Sequence, residues 1–303
     1  MVSAGNFRRL AFLTVAFAYL QIALGGVVRV TGSGLGCPDW PLCNGRPYPA
    51  PDIHSVIEYS HRTVGTITGV LLIATVVAAW IVFRKTRPVV AWLATGSLVA
   101  IAAEGAVGGV VVINELAPWL VLVHLGLAML ILGFLIATAI LSLPASEGIA
   151  ASRFRRLALA GAIVTYLLLL TGSTVVASEA DEGCHSWPLC GGGFALDFAG
   201  ANAYTMLHRG SVLVLGAFLV YFLVQALRVA AARRVAIVTL VVFGLQVAVG
   251  AGSALTDNGL FNGLHVAIAT IVWSGVLSIA LLTVPRRDRA PALARLAVDK
   301  RPA

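Results

Sequence analysis

Long apolar runs separated by short polar segments dominate this chain. A run of about 20 mostly apolar residues is long enough to cross the hydrocarbon core of a bilayer. Eight such runs occur, at approximately 10–30, 64–83, 91–113, 119–143, 157–177, 206–227, 235–255 and 264–284. Because a lipid-embedded backbone must satisfy its own hydrogen bonds, we predict an all-α integral membrane protein with eight transmembrane helices.

The composition agrees with this pattern. Only 11% of the 303 residues are charged, whereas about 25% is usual for a soluble domain. The first apolar run follows a basic segment at 6–9, but it is too long for a signal peptide and lacks a small-residue cleavage site. We therefore expect it to be the first membrane span.

The net charge of +8 reports how the spans are oriented. With the N-terminus inside, 17 of the 21 basic residues lie in cytoplasmic segments, and the other four are Arg29, Arg46, Arg62 and Arg209. The positive-inside rule then predicts that both termini are cytoplasmic and that the cysteine loops are extracytoplasmic. We expect a multi-pass protein of the plasma membrane. Since topology and contact with anionic lipid of the bilayer account for the surplus charge, we expect no nucleic-acid partner.

The chain contains an internal duplication. The segment CPDWPLC at 37–43 recurs as CHSWPLC at 184–190, and the same offset of 147 carries His61-Arg62 onto His208-Arg209. We predict two pseudo-twofold related four-helix bundles, with an N-terminal half at 1–146, a C-terminal half at 147–285 and a cytoplasmic tail at 286–303.

A smaller repeat lies within each half. The segments QIALGGVV from Gln21 and EGAVGGVV from Glu104 align without gaps, and Gly172 and Gly250 take the matching place in the fifth and seventh spans. Small residues allow close helix approach in lipid, and we favour this packing role over ligand contact. Glu104 is an intramembrane carboxylate and so a functional candidate, yet a buried hydrogen-bonding role is equally compatible with its neutral counterparts.

Four of the six histidines lie at the outer ends of the even-numbered spans: His61, His124, His208 and His265. Because these spans run in the same direction, His61 can face His124, and His208 can face His265, across a bundle. Axial histidines commonly hold haem, so we predict one haem per half in preference to a free metal ion.

The other histidines, His54 and His185, are expected in loops and facing solvent. Arg62 and Arg209 directly follow a predicted ligand at the outer interface, where haem propionates would lie. A guanidinium binds a carboxylate well. Interfacial snorkelling is the alternative for each arginine.

One difference between the halves concerns a carboxylate. Glu58 precedes His61 by three residues, whereas Thr205 has the same place before His208. That spacing puts Glu58 and His61 on one helix face, so Glu58 could act as a base or stabilise developing positive charge. The alternative is an acidic residue favoured by the N-terminal helix dipole. The asymmetry predicts one catalytic half and one cofactor half.

The four cysteines lie in two outer loops. An even number in an oxidising compartment predicts disulfides, most simply Cys37–Cys43 and Cys184–Cys190. The spacing does not match paired zinc ligands. We favour a structural role over thiol exchange with a partner.

The sequence resembles the heme A synthase family in five segments: GGVVRVTGSGLGC at 25–37, the CPDWPLC loop, EYSHR at 58–62, LHRG at 207–210 and GLH at 263–265. The resemblance covers essentially the whole chain. It implies oxidation of a methyl group of haem O to a formyl group, giving haem A for terminal oxidases. It further implies haem O between His61 and His124, near Glu58, and a haem b cofactor between His208 and His265.

Two other functions account for the histidines. One is a bis-histidine membrane cytochrome b that acts only in electron transfer, and the other is a haem carrier without turnover. The cytochrome leaves Glu58 and the difference between the halves without a purpose. Haem O synthase, a farnesyltransferase, and oxidase assembly factors are the protein partners that the resemblance suggests, and a homo-oligomer is compatible with it.

Overall fold

The computed structural model describes residues 3–144, 152–178, 184–256 and 258–286. These residues form eight long α-helices and no β-strand. The helices are α1 (Ala4–Val30), α2 (Ile53–Phe83), α3 (Pro88–Ile113), α4 (Pro118–Leu141), α5 (Ser152–Ala177), α6 (Asn202–Ala226), α7 (Arg233–Thr256) and α8 (Gly259–Leu282). Each is long and apolar enough to cross a membrane, which confirms the all-α eight-span prediction.

The helices begin earlier than the apolar runs predict. The largest difference is in α2, where the run begins near 64 and the helix begins at Ile53. Asp52 caps this end by accepting a hydrogen bond from the Ser55 amide at 3.0 Å. Polar residues therefore continue the helix beyond the apolar stretch. His54, expected in a loop, is instead in the first helical turn, exposed, with Nδ1 3.0 Å from Ser33 Oγ.

Within the described residues, each set of four helices closes into a ring of contacts. Helices α1 to α4 pack in sequence, with α1 also against α4, and α5 to α8 pack in the same way. The two rings meet where α1 and α4 contact α8 and where α4 contacts α5. This arrangement agrees with two bundles, while the domain boundaries and the pseudo-twofold relation remain predictions.

Helix α4 lies at the centre of the contact between the rings. Half of the residues in its most apolar segment are buried, compared with 17% in the corresponding segment of α3. Trp273 of α8 donates its indole N–H to the Met129 carbonyl at 3.1 Å, and the Tyr166 hydroxyl of α5 donates to the Gly126 carbonyl at 3.0 Å. Since lipid offers no hydrophobic drive between helices, close packing and such buried hydrogen bonds hold the rings together.

Candidate functional site

Both cysteine loops are closed by the expected disulfides. Cys37 bonds Cys43 and Cys184 bonds Cys190, with Cα atoms 4.4 Å and 5.1 Å apart. His185 in the second loop is exposed, as predicted. We call the end of the molecule that carries these loops the cysteine-loop end.

The arginine after each predicted ligand is tied to its loop. Arg62 donates from Nη1 to the carbonyls of Asp39 at 2.9 Å and Leu42 at 2.7 Å, and from Nη2 to the Cys37 carbonyl at 2.7 Å. It also pairs with Glu58 at 2.5 Å, so four of its five N–H groups are engaged. This loop-anchoring role was not predicted from the sequence.

Arg209 repeats the arrangement in the second half. Its Nη1 donates to the carbonyls of Ser186 at 2.7 Å and Pro188 at 3.1 Å. An offset of 147 maps Asp39 onto Ser186, so both arginines donate to one equivalent carbonyl of the repeated loop. The propionate contact foreseen for these arginines remains a prediction.

Glu58 is buried beneath the first loop, with 3% of its surface exposed. One carboxylate oxygen accepts from the Cys37 amide at 2.7 Å, and the other accepts from Arg62. The Glu58 carboxylate is therefore held between the backbone of Cys37 in the loop and the Arg62 side chain on its own helix. In the second half Thr205 is also buried, but it offers no carboxylate.

Each predicted first-half ligand has a polar neighbour on the preceding helix. Gln21 Nε2 of α1 lies 3.1 Å from His61 Nε2. Glu104 Oε1 of α3 lies 3.0 Å from His124 Nδ1, although the ring N–H is not aligned with that oxygen. Sequence reasoning picked out Glu104 but did not link it to His124.

The second half follows the same scheme with different partners. The Thr171 hydroxyl of α5 lies 2.9 Å from His208 Nδ1, and Gln246 Nε2 of α7 lies 3.1 Å from both ring nitrogens of His265. A neighbouring helix therefore supplies each histidine with one polar partner. For His61, His124 and His208 this partner contacts one ring nitrogen and leaves the other for a further ligand, whereas Gln246 contacts both nitrogens of His265.

A glycine lies against each of the four imidazoles. A β-carbon placed on it would meet Cε1 of the ring at 2.8 to 3.3 Å, closer than ordinary contact. The pairs are Gly25 with His61, Gly108 with His124, Gly172 with His208 and Gly250 with His265. The repeated glycines therefore make room for the histidine rings, which sharpens the packing role expected from the sequence.

Several buried polar atoms beside the histidines have no hydrogen-bond partner. In the first half they are Gln21 Oε1, His61 Nδ1, Glu104 Oε2 and His124 Nδ1, and in the second half Gln246 Oε1. Buried polar atoms normally find partners, so such a group needs an explanation. A ligand that binds between the two imidazoles of a half and reorients them would explain these unpartnered atoms.

The spacing of the second pair suits one metal centre. The ring centroids of His208 and His265 are 6.5 Å apart, with the planes at 89°. Two imidazoles that bind one ion at about 2.0 Å each place their centroids about 6 Å apart. The separation of the two imidazoles therefore fits one shared iron, provided that His265 turns a nitrogen from Gln246 toward the metal.

A family model matches most of the chain. The model is that of COX15-CtaA, described as cytochrome oxidase assembly protein, and it covers residues 8–56 and 51–277. The chain belongs to this family. The second matched segment includes Glu58 and all four histidines described above.

Three relatives named heme A synthase align with this chain over most of their own length. Heme A synthase of Shouchella clausii is 29% identical over 282 residues, which is 86% of this chain and 92% of the relative. That of Geobacillus thermodenitrificans is 28% identical over 299 residues, 93% and 92% of the two chains. That of an Exiguobacterium species is 30% identical over 266 residues, 86% and 87%.

Proposed function

We propose that this protein is a heme A synthase, an oxidoreductase that converts the methyl substituent of haem O into the formyl group of haem A. Relatives of that name align with most of the chain. The observation that carries the proposal is the asymmetry of two histidine sites built from repeated helices. Among the described residues, only the first has a buried carboxylate, Glu58, one helical turn before its histidine, toward the cysteine-loop end.

In this proposal the first half binds the substrate and the second half binds the cofactor. His61 and His124 hold haem O through its iron, and His208 and His265 hold haem b. The unpartnered polar atoms beside the histidines support this assignment, as does the 6.5 Å separation of the second pair. When bound, haem b would supply one-electron transfer.

With water as the oxygen source, conversion of the methyl group into an aldehyde consumes one water and releases four protons and four electrons. Two of the protons come from the methyl group and two from the water, and the electrons pass to an external electron acceptor. Two successive hydroxylations followed by loss of water satisfy this balance. If water is the oxygen source, positive charge develops on the methyl carbon, and a fixed anion stabilises it. Glu58 is the group we assign to that task, because its two hydrogen bonds hold the carboxylate in place.

Arg62 supports this role by holding both Glu58 and the loop. Most of its donors serve the protein, so we propose loop anchoring as its main function, with a propionate contact as a further role. Arg209 holds the second loop through two donors on Nη1, and we propose the same two roles for it. We also propose a plasma-membrane location with both termini cytoplasmic. Haem O synthase would then deliver substrate within the same membrane.

The test replaces Glu58 by Gln, which keeps the shape of the side chain and removes its charge. We expect E58Q to retain both haems and to form no haem A. The matched control is E115Q, because Glu115 is an exposed carboxylate outside the helices. Normal haem A formation by E58Q would refute the role of Glu58.

The bound porphyrins test the function itself. They are extracted from the purified protein and identified by mass. Haem O, a hydroxylated derivative or haem A supports the synthase. Haem b alone supports an electron-transfer cytochrome, and haem bound without any conversion by the intact protein supports a carrier.

A further inference from the structure

The four polar partners of the histidines differ in chemistry although their helices repeat. Gln21, Glu104 and Gln246 each stand four residues before the glycine that faces the ring, and Leu168 has that position in α5. Residues four apart share a helix face, which is why the polar group and the glycine meet the same imidazole. Glu104 is the one carboxylate in this set.

The carboxylate changes what the partner can do to the ring. A side-chain amide can donate or accept, so Gln21 and Gln246 are compatible with either tautomer of their histidine. The Thr171 hydroxyl donates its proton to the Leu168 carbonyl at 2.8 Å and therefore accepts from His208, but it is a neutral and weaker acceptor than a carboxylate. An ionised carboxylate only accepts. At 3.0 Å from Nδ1, Glu104 Oε1 therefore favours a proton on Nδ1 of His124 and leaves the lone pair on Nε2.

Burial strengthens this effect. Glu104 is 9% exposed, and its Oε2 has no hydrogen-bond partner. A carboxylate in the interior of a membrane helix is costly unless it is paired, and His124 is the partner that the structure provides. The approach is off the N–H direction, and catalytic hydrogen bonds often align only when the ligand binds.

We propose that Glu104 is a positioning residue of the first haem site: it sets the tautomer of His124 and makes that histidine the stronger electron donor of the pair. The inference rests on the proposed function, because it assumes that His124 binds a haem iron. Carboxylate partners orient metal-bound histidines and raise their basicity, and their loss typically weakens metal binding about 10- to 100-fold. His61, with the neutral Gln21, lacks this assistance.

The experiment measures haem affinity and midpoint potential with haem b as the probe. The H265A background disables the second site, so that the full-length protein reports the first site alone. We expect E104Q to bind haem at least about tenfold more weakly. We also expect its potential to rise, since a weaker donor stabilises ferric iron less. A tenfold change in the ferric-to-ferrous preference corresponds to about 59 mV.

The reciprocal variant Q246E provides a matched control with both sites intact. It introduces the carboxylate beside His265 and should lower the potential of the second haem only. A merely structural role for Glu104 would change thermal unfolding of the haem-free protein and leave the potential unaltered. If E104Q changes neither affinity nor potential, the proposal is wrong.

The variant H124A separates this inference from the proposed function. If H124A still binds haem in the first half, the assignment of His124 fails, and the inference fails with it. If H124A loses that haem while E104Q behaves as the parent protein, only the role of Glu104 is refuted.

Discussion

Replacing Gly250 by alanine places a methyl group against the His265 ring. The new β-carbon would lie 2.8 Å from Cε1, whereas ordinary contact begins at 3.4 Å, so the ring must retreat by 0.6 Å. Gln246 Nε2, 3.1 Å from both ring nitrogens, restricts the ring from turning away. Binding sites tolerate displacements of only about 0.5 Å, so we expect haem in the second half to bind about tenfold more weakly, or worse.

The loss of haem affinity should be smaller where the added β-carbon lies farther from Cε1 of the imidazole. The β-carbon would lie 3.1 Å from Cε1 at Gly172, 3.2 Å at Gly108 and 3.3 Å at Gly25, so G25A requires a shift of only 0.1 Å. The matched control is G244A, on the same helix as Gly250 but with nothing within 4 Å. Alanine is the better helix former, so G244A should not destabilise α7.

The assay titrates haem b into each purified haem-free variant and follows the absorbance change. Spectral evidence of bis-histidine ligation identifies loading of the sites. The expected order of affinity loss is G250A, then G172A, then G108A, then G25A, with G244A equal to the parent. Equal haem affinity of G250A and G244A would contradict the view that these glycines make room for the ligand rings.

Two further predictions concern stability and the first loop. Trp273→Phe removes the hydrogen bond to the Met129 carbonyl and should cost about 1 kcal/mol in denaturant unfolding in detergent, while Trp92→Phe, at a 63% exposed position, should cost less. Hydrogen bonds from the backbone, led by that of Gly45, hold the pKa of Asp39 below its ordinary value. Ionised Asp39 therefore stabilises the loop fully above its ordinary pKa, and this stabilisation is lost as the pH falls through the lowered pKa. Protease cleavage of the loop should rise only in that acidic range, and cleavage that is independent of pH there would contradict it.

The apolar pattern was sufficient to predict the eight helices, because every segment that crosses lipid must be apolar and must satisfy its own backbone hydrogen bonds. It located eight helices but missed the start of α2, since the polar segment around Glu58 is helical without being apolar. The disulfides followed from the cysteine count and the repeat. Each loop contains two cysteines, so a disulfide within each loop was the simplest pairing to predict.

The contacts around the histidines were less accessible to sequence reasoning. Each joins residues on different helices, such as Glu104 with His124, and helix rotation decides whether they meet. The repeat did hold a usable signal, because a polar residue and a glycine recur four apart on three of the odd-numbered helices. The arginine contacts to the loops had no such signal, since backbone carbonyls leave no mark on the sequence.

The repeats also indicate where the chemistry of the two halves diverges. All four histidines keep the glycine that makes room for the imidazole, so this local packing is the property that the two halves share. The carboxylates are not shared. Glu58 on α2 and Glu104 on α3 both belong to the first half, and Thr205 and Gln246 replace them in the second. Negative charge near one porphyrin stabilises positive charge on that porphyrin. A site that oxidises its ligand needs this property, whereas a site that only passes electrons can work without it.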